Sequence, residues 1–174
     1  MVNAIETEYN GYRFRSRLEA RWAVFFDSLG IKYRYEVEGF NLHGVYYLPD
    51  FWLPHIVPEL ADDGWGLWVE IKPLPISEDE LKKVVSLVEE TKHNALVFQG
   101  NPWPGEYTAL KVSGTHFSPP KQFEGLSFSQ EDSGYIHLRS TSCSSYPAAY
   151  GGDLEHAYRL ARQARFEHGE RPIA

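Results

Sequence analysis

The chain has 174 residues, 43% of them hydrophobic and 15% aromatic, with a formal net charge of −7. This excludes a disordered chain, fits one domain with a sizeable core, and argues against tight non-specific binding to nucleic acid. One cysteine, Cys143, excludes an intramolecular disulfide and a cysteine-rich zinc site, and no two histidines have H-x-x-x-H spacing, so any metal is expected on carboxylates.

Residues 1 to 10 carry Glu6 and Glu8 and lack a basic-then-apolar signal pattern. No apolar run approaches 18 residues, so no membrane partner is expected and the expected location is the cytoplasm. Residues 16 to 29 predict an amphipathic helix. Leu18, Trp22, Phe25, Phe26 and Leu29 make one stripe, Ser16 is a natural N-cap and Gly30 a natural stop. Residues 31 to 37 alternate as a strand, with Tyr33, Tyr35 and Val37 on one face. Residues 39 to 44 predict a turn. Residues 45 to 53 predict a second strand, with Pro49 marking a bulge or edge. Residues 54 to 66 read as a loop, and residues 67 to 72 as a third strand closed by Pro73 and Pro75.

Ser77 and Glu80 form a capping box for a helix running to about His93, with Leu81, Val84, Val85 and Val88 as its stripe. Residues 95 to 99 predict a short buried strand. The first hundred residues thus read α-β-β-β-α-β. Beyond them, residues 107 to 112 and 135 to 138 predict strands, residues 113 to 134 and 140 to 152 predict loops, and residues 153 to 168 predict a closing helix. The whole is read as a single domain, with a core over about 12–100 and an extension over about 101–174.

Three acids and a lysine carry the candidate chemistry. Glu70 and Lys72 are two apart in a strand and so share a face, while Val69 and Ile71 point into the core. If the second strand pairs with the third, Asp50 stands beside Glu70. Two adjacent carboxylates repel, a divalent cation relieves that repulsion, and the lysine can orient or deprotonate a metal-bound water. Each element also has an ordinary reading. Glu-x-Lys is common on solvated strand faces, Asp after Pro often serves a turn, and Ser16-x-x-Glu19 is itself a capping box. The combination and its order set this chain apart.

A helical Glu19, then Pro49-Asp50, then Glu70-Ile71-Lys72, on that element order, resembles the PD-(D/E)XK nuclease superfamily with its restriction-endonuclease-like fold. Residues 14–19, 29–36, 48–54 and 68–72 look like the phage endonuclease I group of Holliday junction resolvases. The plan is also similar to transposon-end nucleases and very-short-patch repair nickases. The likeness covers about residues 12 to 100. It implies an α/β fold with a mixed central sheet flanked by helices, and a Mg²⁺- or Mn²⁺-dependent endonuclease that cuts DNA, branched DNA included, leaving 5′-phosphate and 3′-hydroxyl ends. It implies Asp50, Glu70 and the Ile71 carbonyl as metal ligands, Glu19 completing the shell directly or through water, and Lys72 assisting the attacking water. The group is dimeric, which implies a homodimer.

The chain departs from that group after Lys72, where Pro73-Leu74-Pro75 stands in place of glycine, and in the acidic loop carrying Glu59, Asp62 and Asp63. Arg13, Arg15, Arg17 and Arg21 are candidate phosphate contacts beside Glu19. Arg159, Arg162 and Arg165 share a broad face of the last helix, either solvated or tracking a backbone. Trp103 and His116 can stack on bases or pin their loops. Three rivals remain: a silent nucleic-acid- or protein-binding module on the same fold, a ribonuclease with the same site, and a nuclease subunit targeted by a protein partner.

Overall fold

The computed structural model describes residues 5–54, 66–73, 76–104, 109–112, 125–140 and 145–166. The chain opens with a hairpin of β1 (Thr7–Tyr9) and β2 (Tyr12–Phe14). Its two-residue turn is Asn10-Gly11, at φ of 48° and 81°. Positive φ at both centres is what a type I′ turn requires, and Asn-Gly supplies it. Helix α1 (Arg17–Ser28) follows, capped by Ser16, whose side chain accepts from the Glu19 N–H. It ends at Leu29, and Gly30 takes the left-handed φ of 69°.

Two expected strands come out differently. Residues 31 to 37 yield only β3 (Arg34–Tyr35), because Glu36 turns the backbone at φ 46° and leaves Val37 exposed. The expected turn over 39 to 44 contains β4 (Phe40–Leu42), which pairs with β5 (Val45–Tyr47) around His43-Gly44. The single strand expected over 45 to 53 is broken at Leu48–Asp50, and β6 (Phe51–Leu53) resumes in a different sheet. Pro49, with no N–H to give a ladder, lies in that break.

Next come β7 (Leu67–Lys72), α2 (Glu78–Thr91) and β8 (Ala95–Gln99). The capping box at Ser77 and Glu80 is formed in both directions. Beyond residue 100 the described residues hold β9 (Ala109–Val112), β10 (Gly125–Gln130), β11 (Tyr135–Ser140), β12 (Ser145–Tyr150) and α3 (Leu154–Gln163). Strands β10 and β12 fall where loops were expected. Tyr107, His116, His168 and the acidic loop with Glu59, Asp62 and Asp63 lie outside the described residues.

The fold is mixed α/β. One eight-stranded sheet runs β12-β11-β10-β9-β8-β7-β6-β3. Strands β7 and β8 are parallel and joined through α2, and the other neighbours are antiparallel. Both faces of the central strands are covered. On one face, Val69, Ile71, Leu96 and Phe98 pack under α1 and α3, with Trp22 stacked on Phe98 at 4.4 Å and Phe25 on Tyr158 at 4.8 Å. On the other, Trp68, Ala95 and Val97 meet Val84, Leu87 and Val88 of α2. Double coverage explains why β8 reads as a continuous apolar run. No helix among the described residues is long and apolar enough to cross a membrane.

Candidate active site

Antiparallel pairing of β6 with β7 matches Phe51 to Val69, which sets Asp50 beside Glu70 at the strand ends. Val69 and Ile71 point to the α1 side. Glu70, on the opposite face, is completely buried (0% exposed) rather than wet. Lys72 closes the site at its rim, with its side chain 17% exposed. Its ammonium lies 2.7 Å from Glu70 Oε2 and 3.9 Å from Asp50 Oδ2.

Asp50 is held from several directions. The Ile71 N–H donates to Oδ2 at 2.8 Å, and Arg15 Nη2 donates to Oδ1 at 2.6 Å. The Glu36 N–H donates to the Asp50 carbonyl at 2.9 Å. Glu36 also pairs through its carboxylate with Arg15 Nε. Arg15 therefore bridges the loop before β6 and the turn after β3.

Glu19 sits on the first turn of α1, facing the same cleft. Ser16 Oγ donates to its Oε1 at 2.7 Å while accepting from its backbone N–H at 3.2 Å. Tyr35 Oη donates to Oε2 and accepts from the Arg15 N–H at 2.9 Å. Ser16 thus caps the helix, whereas the Glu19 carboxylate takes the Ser16 hydroxyl and, unlike Glu80 in α2, makes no reciprocal bond to the N-cap backbone N–H.

The electrostatics follow from burial. Asp50 is pushed up to about 7, first by burial and then by the charge of Glu70; Lys72, the Ile71 N–H and Arg15 oppose the shift. Glu19 is also raised, first by burial and then by Asp50, with Ser16 and Tyr35 pulling the other way. Burial would lower Lys72, but the charges of Asp50 and Glu70 outweigh it and hold the ammonium protonated. The Tyr47 phenol is raised by burial and next by the charge of Glu70, which places it in the same electrostatic unit.

Asp50, Lys72, Glu19 and the Ile71 backbone open onto a cleft of about 780 Å³ that is also lined by Arg15, Arg17 and Arg21. Of the four arginines proposed as phosphate contacts, Arg17 and Arg21 form part of the cleft wall, whereas Arg15 is engaged with the carboxylates. Arg13 is absent from the lining and pairs with Glu6 on the exposed hairpin. The sequence reading missed Tyr35, Glu36 and Tyr47. Tyr35 had a usable signal, since a buried tyrosine hydroxyl seeks a polar partner, here Glu19. Glu36 had none, because its role comes from a backbone turn.

The donor chemistry suits a hard divalent cation. Among the described residues no well-aligned hydrogen-bond donor reaches either oxygen of the buried Glu70, which is met by Lys72 as an ion pair. Asp50 and Glu70 are adjacent and mutually repelling. Among the described residues, however, no three carboxylate, imidazole or thiol side chains converge into a ready-made cage. The Glu19 carboxylate is engaged by Ser16 and Tyr35.

Comparison with family models, with characterised proteins and with solved structures returns no match. What the chain does is therefore read from its own geometry.

Proposed function

We propose that this chain is a metal-dependent deoxyribonuclease of the PD-(D/E)XK kind, with Asp50, Glu70 and Lys72 at its centre and Glu19 beside them. One observation carries the reading: two buried carboxylates, one just before β6 and one in β7, stand side by side, with a lysine ammonium 2.7 Å from Glu70 and 3.9 Å from Asp50. Maintaining this arrangement without a ligand is costly, because desolvated like charges repel. The restriction-endonuclease-like plan is supported by α1 presenting Glu19, by antiparallel β6–β7, and by the parallel β7-α2-β8 crossover.

In this reading Asp50 and Glu70 would hold Mg²⁺ or Mn²⁺, with the Ile71 carbonyl and a Glu19-bound water as further donors. The cation supplies Lewis acidity at the scissile phosphate and a water of lowered pKa. The chain's own groups do the rest. Lys72 keeps a positive charge at the developing pentacovalent phosphate and orients the attacking water. Arg17 and Arg21 grip flanking phosphates. Tyr35 and Ser16 fix the Glu19 carboxylate so that it can accept a proton from water in the cleft.

A labelled panel tests this: four-way junction, flap, mismatched duplex, plain duplex, single strand and RNA, with Mg²⁺ or Mn²⁺, beside Asp50→Asn and Lys72→Ala. The expected result is metal-dependent cutting to 5′-phosphate ends, lost in both variants by a factor on the order of 10² or more. Absence of cutting in every lane, with no heat of metal binding by calorimetry, would overturn it. A silent binding module is the second reading. It is favoured by the pairing of Arg15 with Asp50 and of Lys72 with Glu70, which gives each buried carboxylate a cation from the chain itself.

A further inference from the structure

The catalytic cleft does not end at α1. Arg17 and Arg21 also line a second concavity of about 580 Å³, between α1 and the end of α3. Arg162 and Arg165 form its other side, and Phe166 lies beside them. Four arginines thus converge on one groove, and among the described residues none of its lining is acidic, in a chain whose formal net charge is −7. The catalytic cleft next to it contains Glu19, Asp50 and Glu80.

The groups that anchor Arg21 and Arg162 leave their charge intact. Arg21 Nη1 donates to the neutral Asn101 Oδ1 at 3.0 Å, and Arg162 Nε donates to the Tyr158 carbonyl at 3.3 Å. The Arg162 guanidinium lies 4.4 Å over the ring of Trp103, an indole that is 57% exposed. A cation near a helix C-terminus accounts for Arg162 alone. It does not account for Arg17, Arg21 and Arg165 lining the same concavity. Arg159, on the same helix, lies outside the groove against His156 at 2.7 Å.

We propose that the α1–α3 groove is the track along which a DNA strand leaves the catalytic cleft, with Arg162 and Arg165 on its phosphates and Trp103 at its edge as a stacking surface for a base. This extends the nuclease reading by naming where the substrate lies and by giving the C-terminal helix a part in binding it. The groove continues the cleft through the shared Arg17 and Arg21, so one backbone can touch both. A planar guanidinium fork suits phosphate oxygens, and an arginine-stacked indole suits a base.

Full-length protein and fluorescein-labelled duplex and four-way-junction DNA in metal-free buffer provide the test, read by anisotropy over a salt series. The doubly substituted Arg162→Ala/Arg165→Ala chain should bind at least about tenfold more weakly at moderate salt. The slope of log K against log salt should fall by about 0.9 for each phosphate that the chain no longer neutralises. Arg159→Ala should match wild type, and circular-dichroism melts should show both variants folded. An unchanged slope in the double variant, an equal loss in Arg159→Ala, or no binding by wild type at low salt would overturn the track. So would an RNA hairpin that outcompetes DNA for the same arginines. The two proposals fail separately. DNA binding that depends on Arg162 and Arg165 without any cutting leaves the track and removes the nuclease, whereas cutting and binding indifferent to both arginines do the reverse.

Discussion

Asp50 is the residue on which the site's energetics turn. Its folded pKa, about 7, lies above the ordinary carboxylate value of 3.8, so the folded state binds more protons than the unfolded chain between those limits. Its contribution to stability is complete below about pH 4, falls as pH rises through the window, and is gone above the folded pKa. Glu19 is shifted in the same direction and adds to the slope. Metal-free protein should therefore melt at a lower temperature at pH 8 than at pH 5.5, and Asp50→Asn should flatten the difference; a wild-type midpoint that rises over that range would contradict this account. Lys72 makes the complementary case. Lys72→Met keeps the stem but strips the ammonium from the buried Glu70, while Asp50 keeps Arg15. Leaving a buried charge uncompensated costs about 3–5 kcal/mol, and the rim position of Lys72 sets the expectation at the low end. Denaturant titration measures the loss, and added Mg²⁺ should recover part of it.

At the scale of elements, α1 and α2 offer a matched comparison. Both begin with a Ser-x-x-Glu box, yet only the first places its serine in the cleft lining. Ser16→Ala and Ser77→Ala should each cost about 1 kcal/mol of stability through the lost cap. Under the proposed nuclease function, Ser16→Ala should in addition depress cleavage, because Ser16 Oγ holds Glu19 Oε1. Cleavage unchanged in Ser16→Ala would remove Glu19 from the proposed site. The two boxes are indistinguishable as strings of letters. Short strands set the opposite problem. Strand β3 has two residues and β6 three, too few for alternation to repeat, so their limits depend on the partners that hydrogen-bond to them.

Across the whole molecule, the segment after residue 100 is built into the core. Tyr158 and Ala157 of α3 share one apolar cluster with Phe25 of α1 and Phe98 of β8, and β9 extends the sheet from β8. Tyr158→Ala should therefore cost about 3–5 kcal/mol, as truncation of a buried aromatic does. It should lower the midpoint of a single unfolding transition followed by tryptophan fluorescence. A separate, early transition confined to the C-terminal segment would mark it as an appendage instead. The same packing brings Arg162 and Arg165 next to Arg17 and Arg21, from opposite ends of the sequence.

Local chemistry was enough to read α1, α2 and α3 from apolar stripes and caps, and β8 from its short apolar run. The strand period put Glu70 and Lys72 on one face, whereas Glu19 and Asp50 were singled out by the order of the motifs and its resemblance to the nuclease superfamily. The β1–β2 hairpin went unread, although Asn10-Gly11 is a hairpin-turn signal. Tertiary structure decided what local periodicity does not encode. It broke the expected strand at Pro49, drew β10 and β12 from serine-rich sequence, buried Glu70 where solvent was the simpler guess, and brought Tyr35, Glu36 and Tyr47 to the site. Each of these depends on pairing or packing with residues distant in sequence, whose effect on burial and hydrogen bonding cannot be summed from neighbours along the chain.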